Sequence, residues 1–307
     1  MTTRQEISFV PAGRRRRAIH PKADGPRLVE GWELLGCVAE GVYSSVYRAR
    51  PADRCSPSSA AYAVKVLREP WCDRPEIVAV LRSEARAARQ VSHPHLISVL
   101  AAGTVHKPYF LVSPWLTGQT LSQILASHRS IDLPNVLWIA RQVAEALQAM
   151  EAAGWRHGDV KPANLIVSPE VHVTLIDLGF AQPLGEDGAV VDRPMMGTYQ
   201  YAAPELVTSR LAADIRSDLY SLGVVLFQML TARLPFQGRT LAELAEQHRT
   251  WRPPELRQFA PSLPAGLTRL VREMLSKNPC RRPRHAREVV ERLTELEIAT
   301  FGERSIG

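Results

Sequence analysis

Four side chains in the middle of the chain have the chemistry of a phosphoryl-transfer site. Asp159, Lys161 and Asn164 lie in the run 157–164, and Asp177 opens the tripeptide Asp177-Leu178-Gly179. A phosphoryl group in transfer carries negative charge, so a catalyst has to position it and neutralise that charge. Asn164 and Asp177 offer the hard oxygen ligands that Mg²⁺ prefers. Asp159 could orient an acceptor hydroxyl and take its proton, while Lys161 could reach the phosphoryl group.

The segment between the two metal-ligand candidates predicts a hairpin. Its apolar runs, 165–167 and 171–176, are separated by Ser168-Pro169-Glu170, which is typical of a tight turn. A hairpin would bring Asn164 and Asp177 close together. Either aspartate pattern alone is common in ordinary loops, so the interpretation depends on their joint spacing.

Two upstream segments could bind a nucleotide. Residues 38–46 predict a hairpin that covers phosphates, and residues 61–66 predict the strand after it. With these segments, residues 32 to about 296 resemble the eukaryotic-type, bacterial-like serine/threonine protein kinases. The resemblance implies that Lys65 pairs with a helix glutamate, Glu84, and that Asp177 opens a variant of the D-F-G motif.

The resemblance also implies a set of site residues, with ATP as the nucleotide and Mg²⁺ as the metal. The implied catalytic residues are Asp159, Lys161, Lys65, Glu84 and Thr198, and the implied metal ligands are Asn164 and Asp177. The implied nucleotide-binding residues are Val38, Ala39, Gly41, Tyr43, Ser44, Val46, Ala63 and Lys65. Ala39 and Ser44 replace two of the three glycines of the family's loop, and both are small enough to let backbone amides approach phosphates.

Helical periodicity places Glu84 on an apolar face. Ile77, Val80, Leu81, Ala88 and Val91 recur at helical spacing. A carboxylate within that stripe needs a partner. The alternative is that Glu84 lies at the margin of the stripe and is solvated.

The predicted fold class is α+β, in the two-lobed arrangement of protein kinases. We expect a mainly β N-lobe with one key helix over about 31–114, a mainly α C-lobe over about 115–296 and a short tail, 297–307. With 307 residues and 45% hydrophobic content, the chain can bury a large core. The apolar stretch Leu219–Leu230 is too short to span a bilayer and predicts a buried helix. No signal peptide or transmembrane segment is evident, and four cysteines without close pairing favour a cytoplasmic setting.

Residues 1–30 predict a basic, disordered leader. The chain carries a net charge of +7, and this segment contains the arginine run 14–17. Such a run could contact an acidic partner, nucleic acid or anionic lipid. A solvated tail without a dedicated partner is the favoured interpretation.

Three C-lobe residues match structural positions of the family. Asp218 corresponds to a buried aspartate that accepts hydrogen bonds from backbone amides of the catalytic loop, the run 157–164. Glu205, in Ala203-Pro204-Glu205, corresponds to a glutamate that pairs with an arginine, and the resemblance implies that this buried ion pair pins the platform on which the protein substrate binds. The resemblance assigns that arginine as Arg282, although Arg281 is an adjacent candidate.

The resemblance implies a protein substrate phosphorylated on serine or threonine, because Lys161 and Thr198 accompany that specificity. Gly158 stands where many regulated kinases have an arginine that binds a phosphate on the activation segment, the stretch between Asp177 and Ala203. Residues 178–197 contain no Ser, Thr or Tyr. We therefore expect that activity does not require phosphorylation of this segment.

Two other functions stay open from the residues alone. Small-molecule phosphotransferases of the H-G-D type share the catalytic run, and a non-catalytic module could share the fold. Lys161 and Asp218 favour a protein substrate, and the presence of every implied active-site group favours catalysis. By alignment, Ser113 is the gatekeeper residue behind the adenine site, where a small side chain would leave a back pocket open.

Overall fold

The fold is known from a computed structural model that describes residues 28–53, 61–127, 131–185, 199–208 and 213–302. The predicted leader before Leu28 and the tail beyond 302 lie outside the described residues.

The N-terminal part is built on a six-stranded antiparallel sheet. Its strands are β1 (Leu28–Val29), β2 (Trp32–Glu40), β3 (Ser44–Pro51), β4 (Tyr62–Leu67), β5 (Ala101–Gly103) and β6 (Phe110–Pro114), in the spatial order β1-β2-β3-β4-β6-β5. Side chains alternate between the faces of a strand. On β4, Val64 and Val66 therefore enter the core of this sheet, and Lys65 points to the opposite face.

The predicted phosphate-covering hairpin is formed by β2 and β3. The backbone N–H of Gly41 donates to the carbonyl of Ser44 at 2.8 Å and closes the turn. Register shifts at Leu34/Gly36 and Cys37/Ala39 add irregularity to β2. Such shifts increase strand twist, which curls the hairpin.

The predicted helix around Glu84 is α1 (Pro75–Gln90). A proline in its first turn is compatible with helix initiation because its missing N–H would have no intrahelical partner. Ile77 and Leu81 of the predicted stripe are buried, whereas Val80 and Ala88 are half-buried. Glu84 is buried with the apolar residues, so the alternative of a solvated carboxylate is wrong.

The C-terminal part is mainly helical. Its helices are α2 (Leu121–Ser127), α3 (Leu133–Ala152), α4 (Pro204–Thr208), α5 (Ile215–Thr231), α6 (Leu241–Thr250), α7 (Ala265–Met274) and α8 (Ala286–Gly302). Its short strands are β7 (Gln119–Thr120), β8 (Trp155–Arg156), β9 (Leu165–Val167), β10 (Val173–Leu175) and β11 (Gln182–Pro183). Helix α3 packs against α5 and α8. The two-lobed α+β architecture is therefore confirmed.

Helix α5 forms the centre of the C-terminal core. Every residue from Ile215 to Leu230 except Arg216 and Gln228 is buried, which confirms the prediction of a buried helix over Leu219–Leu230. Within the described ranges, no helix combines the length and apolar character needed to cross a bilayer. Helix α5 thus serves as a scaffold inside the lobe.

Two predicted boundaries differ from the observed elements. Leu28 and Val29 pair with Glu33 and Trp32, so the end of the predicted leader is part of the sheet. Helix α8 continues to Gly302, past the predicted boundary at 296. Strand β1 is held by its pairing with β2, and helix α8 packs against α3 and α7.

Candidate active site

The catalytic loop follows β8 and is fixed by a buried carboxylate on α5. Asp218, 1% exposed, accepts the backbone N–H groups of His157 at 2.6 Å and Gly158 at 2.7 Å. Burial raises the pKa of Asp218, while the charge of Arg156 and the two amides oppose this shift. The predicted structural position of Asp218 is thus occupied as expected, and it orients the backbone immediately before Asp159.

Asp159, Lys161 and Asn164 form one cluster. Lys161 Nζ lies 2.7 Å from Asp159 Oδ2, and Asn164 Nδ2 donates to the same oxygen at 2.8 Å. Asn164 Nδ2 also donates to the backbone carbonyl of Asp159 at 2.9 Å. Burial raises the pKa of Asp159, and Lys161 acts against that shift. The geometry gives a partly desolvated carboxylate beside a cation, which suits a proton acceptor.

The predicted hairpin brings the metal-ligand candidates together. Strands β9 and β10 pair antiparallel, with Leu165 opposite Leu175. Beyond this pair, the N–H of Ile176 donates to the carbonyl of Asn164 at 2.8 Å, so Asp177 follows directly beside Asn164. Asp177 has a left-handed backbone, φ 68°, which aspartate tolerates better than most residues.

Lys65 bridges the N-lobe helix and the C-lobe. Its Nζ lies 2.8 Å from Glu84 Oε2 and 2.9 Å from Asp177 Oδ1. The Glu84 side chain is 7% exposed, compared with 24% for Lys65 and 38% for Asp177. The site therefore has a buried side, formed by α1, and an open side, formed by Asp177.

The pKa shifts within this triad keep Lys65 cationic and make Asp177 the more acidic of the two carboxyl groups. Burial alone would lower the pKa of Lys65, but the Asp177 and Glu84 carboxylates outweigh it and raise the pKa above its ordinary value. The charge of Lys65 lowers the pKa of Asp177 to about 2. Burial raises the pKa of the Glu84 carboxyl, although Lys65 opposes it.

A cavity of about 200 Å³ opens between the hairpin tip, α1 and Asp177. From the predicted nucleotide-binding set, Gly41, Tyr43, Ser44 and Lys65 line it. The remaining members lie on the adjoining strands and outside this lining; they are Val38, Ala39, Val46 and Ala63. Their contact with a nucleotide stays a prediction.

The sequence reasoning missed several residues of the cavity wall, among them Val42 and Phe180. Val42 lies inside the predicted hairpin segment 38–46, at its tip, and Phe180 directly follows the tripeptide Asp177-Leu178-Gly179. Motif matching assigns roles to chemical groups and therefore passes over apolar wall residues. The predicted catalytic residue Thr198 lies outside the described residues, which resume at Tyr199.

A buried ion pair fixes the base of the predicted substrate platform. Arg282 donates to both carboxylate oxygens of Glu205, at 2.6 and 2.9 Å, and Ser217 Oγ adds a third bond at 2.7 Å. The side chains of Arg282 and Glu205 are 0% and 2% exposed. Burial would raise the pKa of Glu205, but Arg282 lowers it below the ordinary value. Arg281 is exposed, so the assignment of Arg282 is confirmed.

A sequence model of the protein kinase domain matches residues 32–293, so the chain belongs to the protein kinase family. Bacterial relatives carry the name serine/threonine-protein kinase. A probable member from Clostridium perfringens is 31% identical over 273 residues, covering 89% of this chain and 39% of that protein. PrkC of Bacillus subtilis is 26% identical over 260 residues, covering 84% and 39%. PknA of Mycobacterium tuberculosis is 34% identical over 227 residues, covering 72% and 52%. The chain thus spans about two fifths to one half of the length of these curated relatives.

Proposed function

We propose that this chain transfers the γ-phosphate of ATP to serine or threonine hydroxyls of protein substrates. The observation that carries the proposal is the triad in which Lys65 contacts Glu84 and Asp177 at once. This contact couples the N-lobe helix, the sheet and the start of the activation segment around a single cation. In phosphoryl transfer, such a cation holds the nucleotide phosphates while its glutamate partner fixes its rotamer.

The donor set fits a magnesium ion bound together with a nucleotide. The side-chain nitrogen of Asn164 donates to Asp159, so the side-chain carbonyl oxygen of Asn164 is the atom able to bind a cation. At Asp177, the bonds from Lys65 and Gly179 both end on Oδ1, so Oδ2 can face a metal. Among the described residues, no group of three or more His, Cys, Asp or Glu side chains could hold a metal ion. Oxygens of the nucleotide and water would therefore complete the shell, as Mg²⁺ allows.

The chain's own groups divide the work of the transfer. Asp159 orients the acceptor hydroxyl and accepts its proton, and its pKa, raised by burial, makes it a better base than an exposed aspartate. Lys161, 2.7 Å from Asp159, neutralises charge on the group in transfer. Bound Mg²⁺ would supply further neutralisation of the phosphate charge.

Two observations support serine or threonine over other acceptors. Lys161 is oriented onto Asp159, which matches the arrangement implied for serine/threonine kinases. The curated relatives are named as kinases of that class. The buried pair of Glu205 and Arg282 supports a protein substrate because it anchors a platform that a small-molecule pocket would not need.

Activity without phosphorylation of the activation segment is also part of the proposal. Gly158 has no side chain with which to bind a phosphate, and residues 178–197 offer no hydroxyl. Lys65 and Glu84 form their ion pair at 2.8 Å, the contact that orients the lysine. Phosphatase-treated protein should therefore keep its rate, and strong activation by phosphate on Thr198 or Tyr199 would contradict this.

Radiolabelled ATP and a generic basic protein provide the direct test. Transfer to serine or threonine should occur with wild type and disappear in Asp159→Ala and Asp177→Ala. Nucleotide binding without transfer would favour a non-catalytic module. Transfer to an aminoglycoside or choline, with none to protein, would favour a small-molecule phosphotransferase.

A further inference from the structure

Arg156 is a buried cation that the proposed chemistry does not use. It lies on β8, immediately before the catalytic loop, and is 7% exposed. A buried guanidinium is costly unless hydrogen bonds and carboxylates compensate for its lost hydration. Burial lowers the pKa of Arg156, and nearby carboxylates act in the opposite direction. These carboxylates belong to Asp218, Asp214 and Glu205.

The side chain of Arg156 meets the start of the activation segment. Strands β8 and β11 pair antiparallel with Arg156 opposite Gln182, and the guanidinium donates to Oε1 of Gln182. The N–H of Leu184 donates to the carbonyl of Gly154 at 2.7 Å and continues this pairing. The stretch that follows Asp177 is therefore attached to the strand that precedes Asp159.

Gly158 supplies the room for this contact. Its φ of +80° is in the left-handed region, where a side chain is strained. A Cβ at this position would lie 2.6 Å from the carbonyl oxygen of Phe180 and 3.1 Å from Nη1 of Arg156. The space beside residue 158 is thus filled by the backbone of the activation segment and by the guanidinium from residue 156.

The attachment also reaches α1. Ser83 Oγ donates to the carbonyl of Ala181 at 3.4 Å, one residue before Gln182. Ser83 adjoins Glu84, the partner of Lys65. We call the contact between Arg156 and Gln182 the clasp. Through the neighbouring Ala181 and its bond from Ser83, the clasp is linked to α1, the helix that carries Glu84 and so orients Lys65.

We infer that Arg156 is a positioning residue, which holds the start of the activation segment against the catalytic loop through Gln182 and makes a phosphate-binding arginine at position 158 unnecessary. The inference rests on the proposed function, because its consequence is a catalytic geometry that exists without phosphorylation. A guanidinium has the planar, multiple donor groups needed to bind an amide oxygen while it faces nearby carboxylates.

Four variants test the clasp: Gln182→Ala, Gln182→Glu, Arg156→Ala and the double variant Arg156→Ala/Gln182→Ala. Gln182→Ala and Arg156→Ala should each lower kcat about tenfold or more, since loss of positioning costs rate, while KM for ATP stays within about twofold. Gln182→Glu keeps an acceptor for the guanidinium and should retain activity. The double variant should be no slower than Arg156→Ala, because both single changes break the same contact.

Arg252→Ala, on an exposed arginine of the C-lobe, is the matched control and should leave kcat unchanged. Hydrogen exchange of residues 178–185 should be faster in Gln182→Ala and Arg156→Ala than in wild type and in Arg252→Ala. If Arg156→Ala does not fold, Gln182→Ala and Gln182→Glu still decide, because Gln182 is only half-buried.

The inference would be overturned if the losses of kcat in the two single variants multiplied in the double variant. It would also be overturned if Gln182→Ala had the same kcat and the same hydrogen exchange as Arg252→Ala. Exchange needs no catalysis, so the clasp can be judged even if wild type transfers no phosphate. Wild-type inactivity with faster exchange in the variants would refute the proposed function and leave the structural clasp intact. Unchanged exchange together with full wild-type transfer would refute the clasp alone.

Discussion

Lys65 and Asp177 are 112 positions apart in the chain, and the ammonium of one lies 2.9 Å from the carboxylate of the other. Lys65 belongs to the N-lobe sheet, whereas Asp177 follows the C-lobe hairpin. The contact is therefore an ion pair that links the two lobes. Because the same ammonium binds Glu84, a change at Lys65 should alter both the stability and the chemistry of the site.

The first prediction concerns acid stability. The pKa of Asp177 is lowered to about 2, mainly by Lys65. A lowered carboxyl pKa contributes stability above the unfolded value of about 3.9 and loses it as pH falls toward the folded value. In Lys65→Met this contribution is absent. The difference in unfolding free energy between wild type and Lys65→Met should therefore shrink as pH falls from about 5 to about 3, measured by urea unfolding.

An Asp177→Asn background controls for other carboxylates. There, Lys65→Met should show a weaker dependence on pH, because only Glu84 remains to titrate against the lysine. An equal pH dependence in both backgrounds would show that Asp177 is not the titrating partner.

The second prediction concerns the pH dependence of catalysis. Burial raises the pKa of Asp159, and Lys161 partly offsets that effect. Because the carboxylate form accepts the proton, kcat/KM should fall as pH drops through this raised pKa. Lys161→Gln removes the offset, so the acidic limb should move to higher pH and the overall rate should fall. Initial-rate profiles of kcat/KM for the protein substrate measure the limb.

Lys107→Gln is the control for the second prediction. Lys107 pairs with Asp73 at the surface, outside the catalytic cluster. The acidic limb of Lys107→Gln should therefore coincide with that of wild type. ATP ionises identically in the assays of wild type, Lys161→Gln and Lys107→Gln, so any difference between their pH profiles comes from groups of the enzyme. If the acidic limb of the kcat/KM profile lies at the same pH in Lys161→Gln and in wild type, Asp159 is not the general base.

The third prediction concerns the buried pair of Glu205 and Arg282. Arg282→Leu leaves the carboxylate of Glu205 buried without its guanidinium partner, although Ser217 Oγ still donates to it. Removing one partner of a buried ion pair costs about 3–5 kcal/mol. The unfolding free energy of the variant, measured with urea, should fall by that amount.

The exposed pair of Arg287 and Glu291, at 2.7 Å, offers a matched comparison. Arg287→Ala should change the unfolding free energy by less than about 0.5 kcal/mol because solvent screens that pair. If Arg282→Leu and Arg287→Ala lowered the unfolding free energy by similar amounts, burial would not be the reason that the pair of Glu205 and Arg282 stabilises the fold.

The fourth prediction concerns ligands of the nucleotide cleft. Ser113 on β6 stands directly opposite Ala63 on β4, so two small side chains adjoin at this point of the sheet. An ATP-competitive inhibitor with a bulky group aimed at this region should bind wild type well. Ser113→Met should raise its inhibition constant about tenfold or more by filling the space.

A compact ATP-competitive inhibitor controls for damage to the nucleotide cleft and should bind both proteins equally. Equal sensitivity of wild type and Ser113→Met to the bulky inhibitor would refute the presence of an open back pocket.

The sequence determined the chemical inventory and the local elements. Two short apolar runs and the turn residues between them predicted the hairpin that joins Asn164 to Asp177, and helical periodicity placed Glu84 on the apolar face of α1. These signals have short range, because a strand repeats every two residues and a helix about every 3.6. The local sequence therefore contained enough information to find them.

Only the tertiary structure decided which distant groups meet. It joined Lys65 to Asp177, buried the pair of Glu205 and Arg282 that the resemblance had assigned, and filled the space beside Gly158 with Arg156 and the backbone of Phe180. Such contacts depend on how whole strands and helices pack, and packing has no period along the chain. For the same reason, the ends of β1 and α8 followed their partners instead of the local composition.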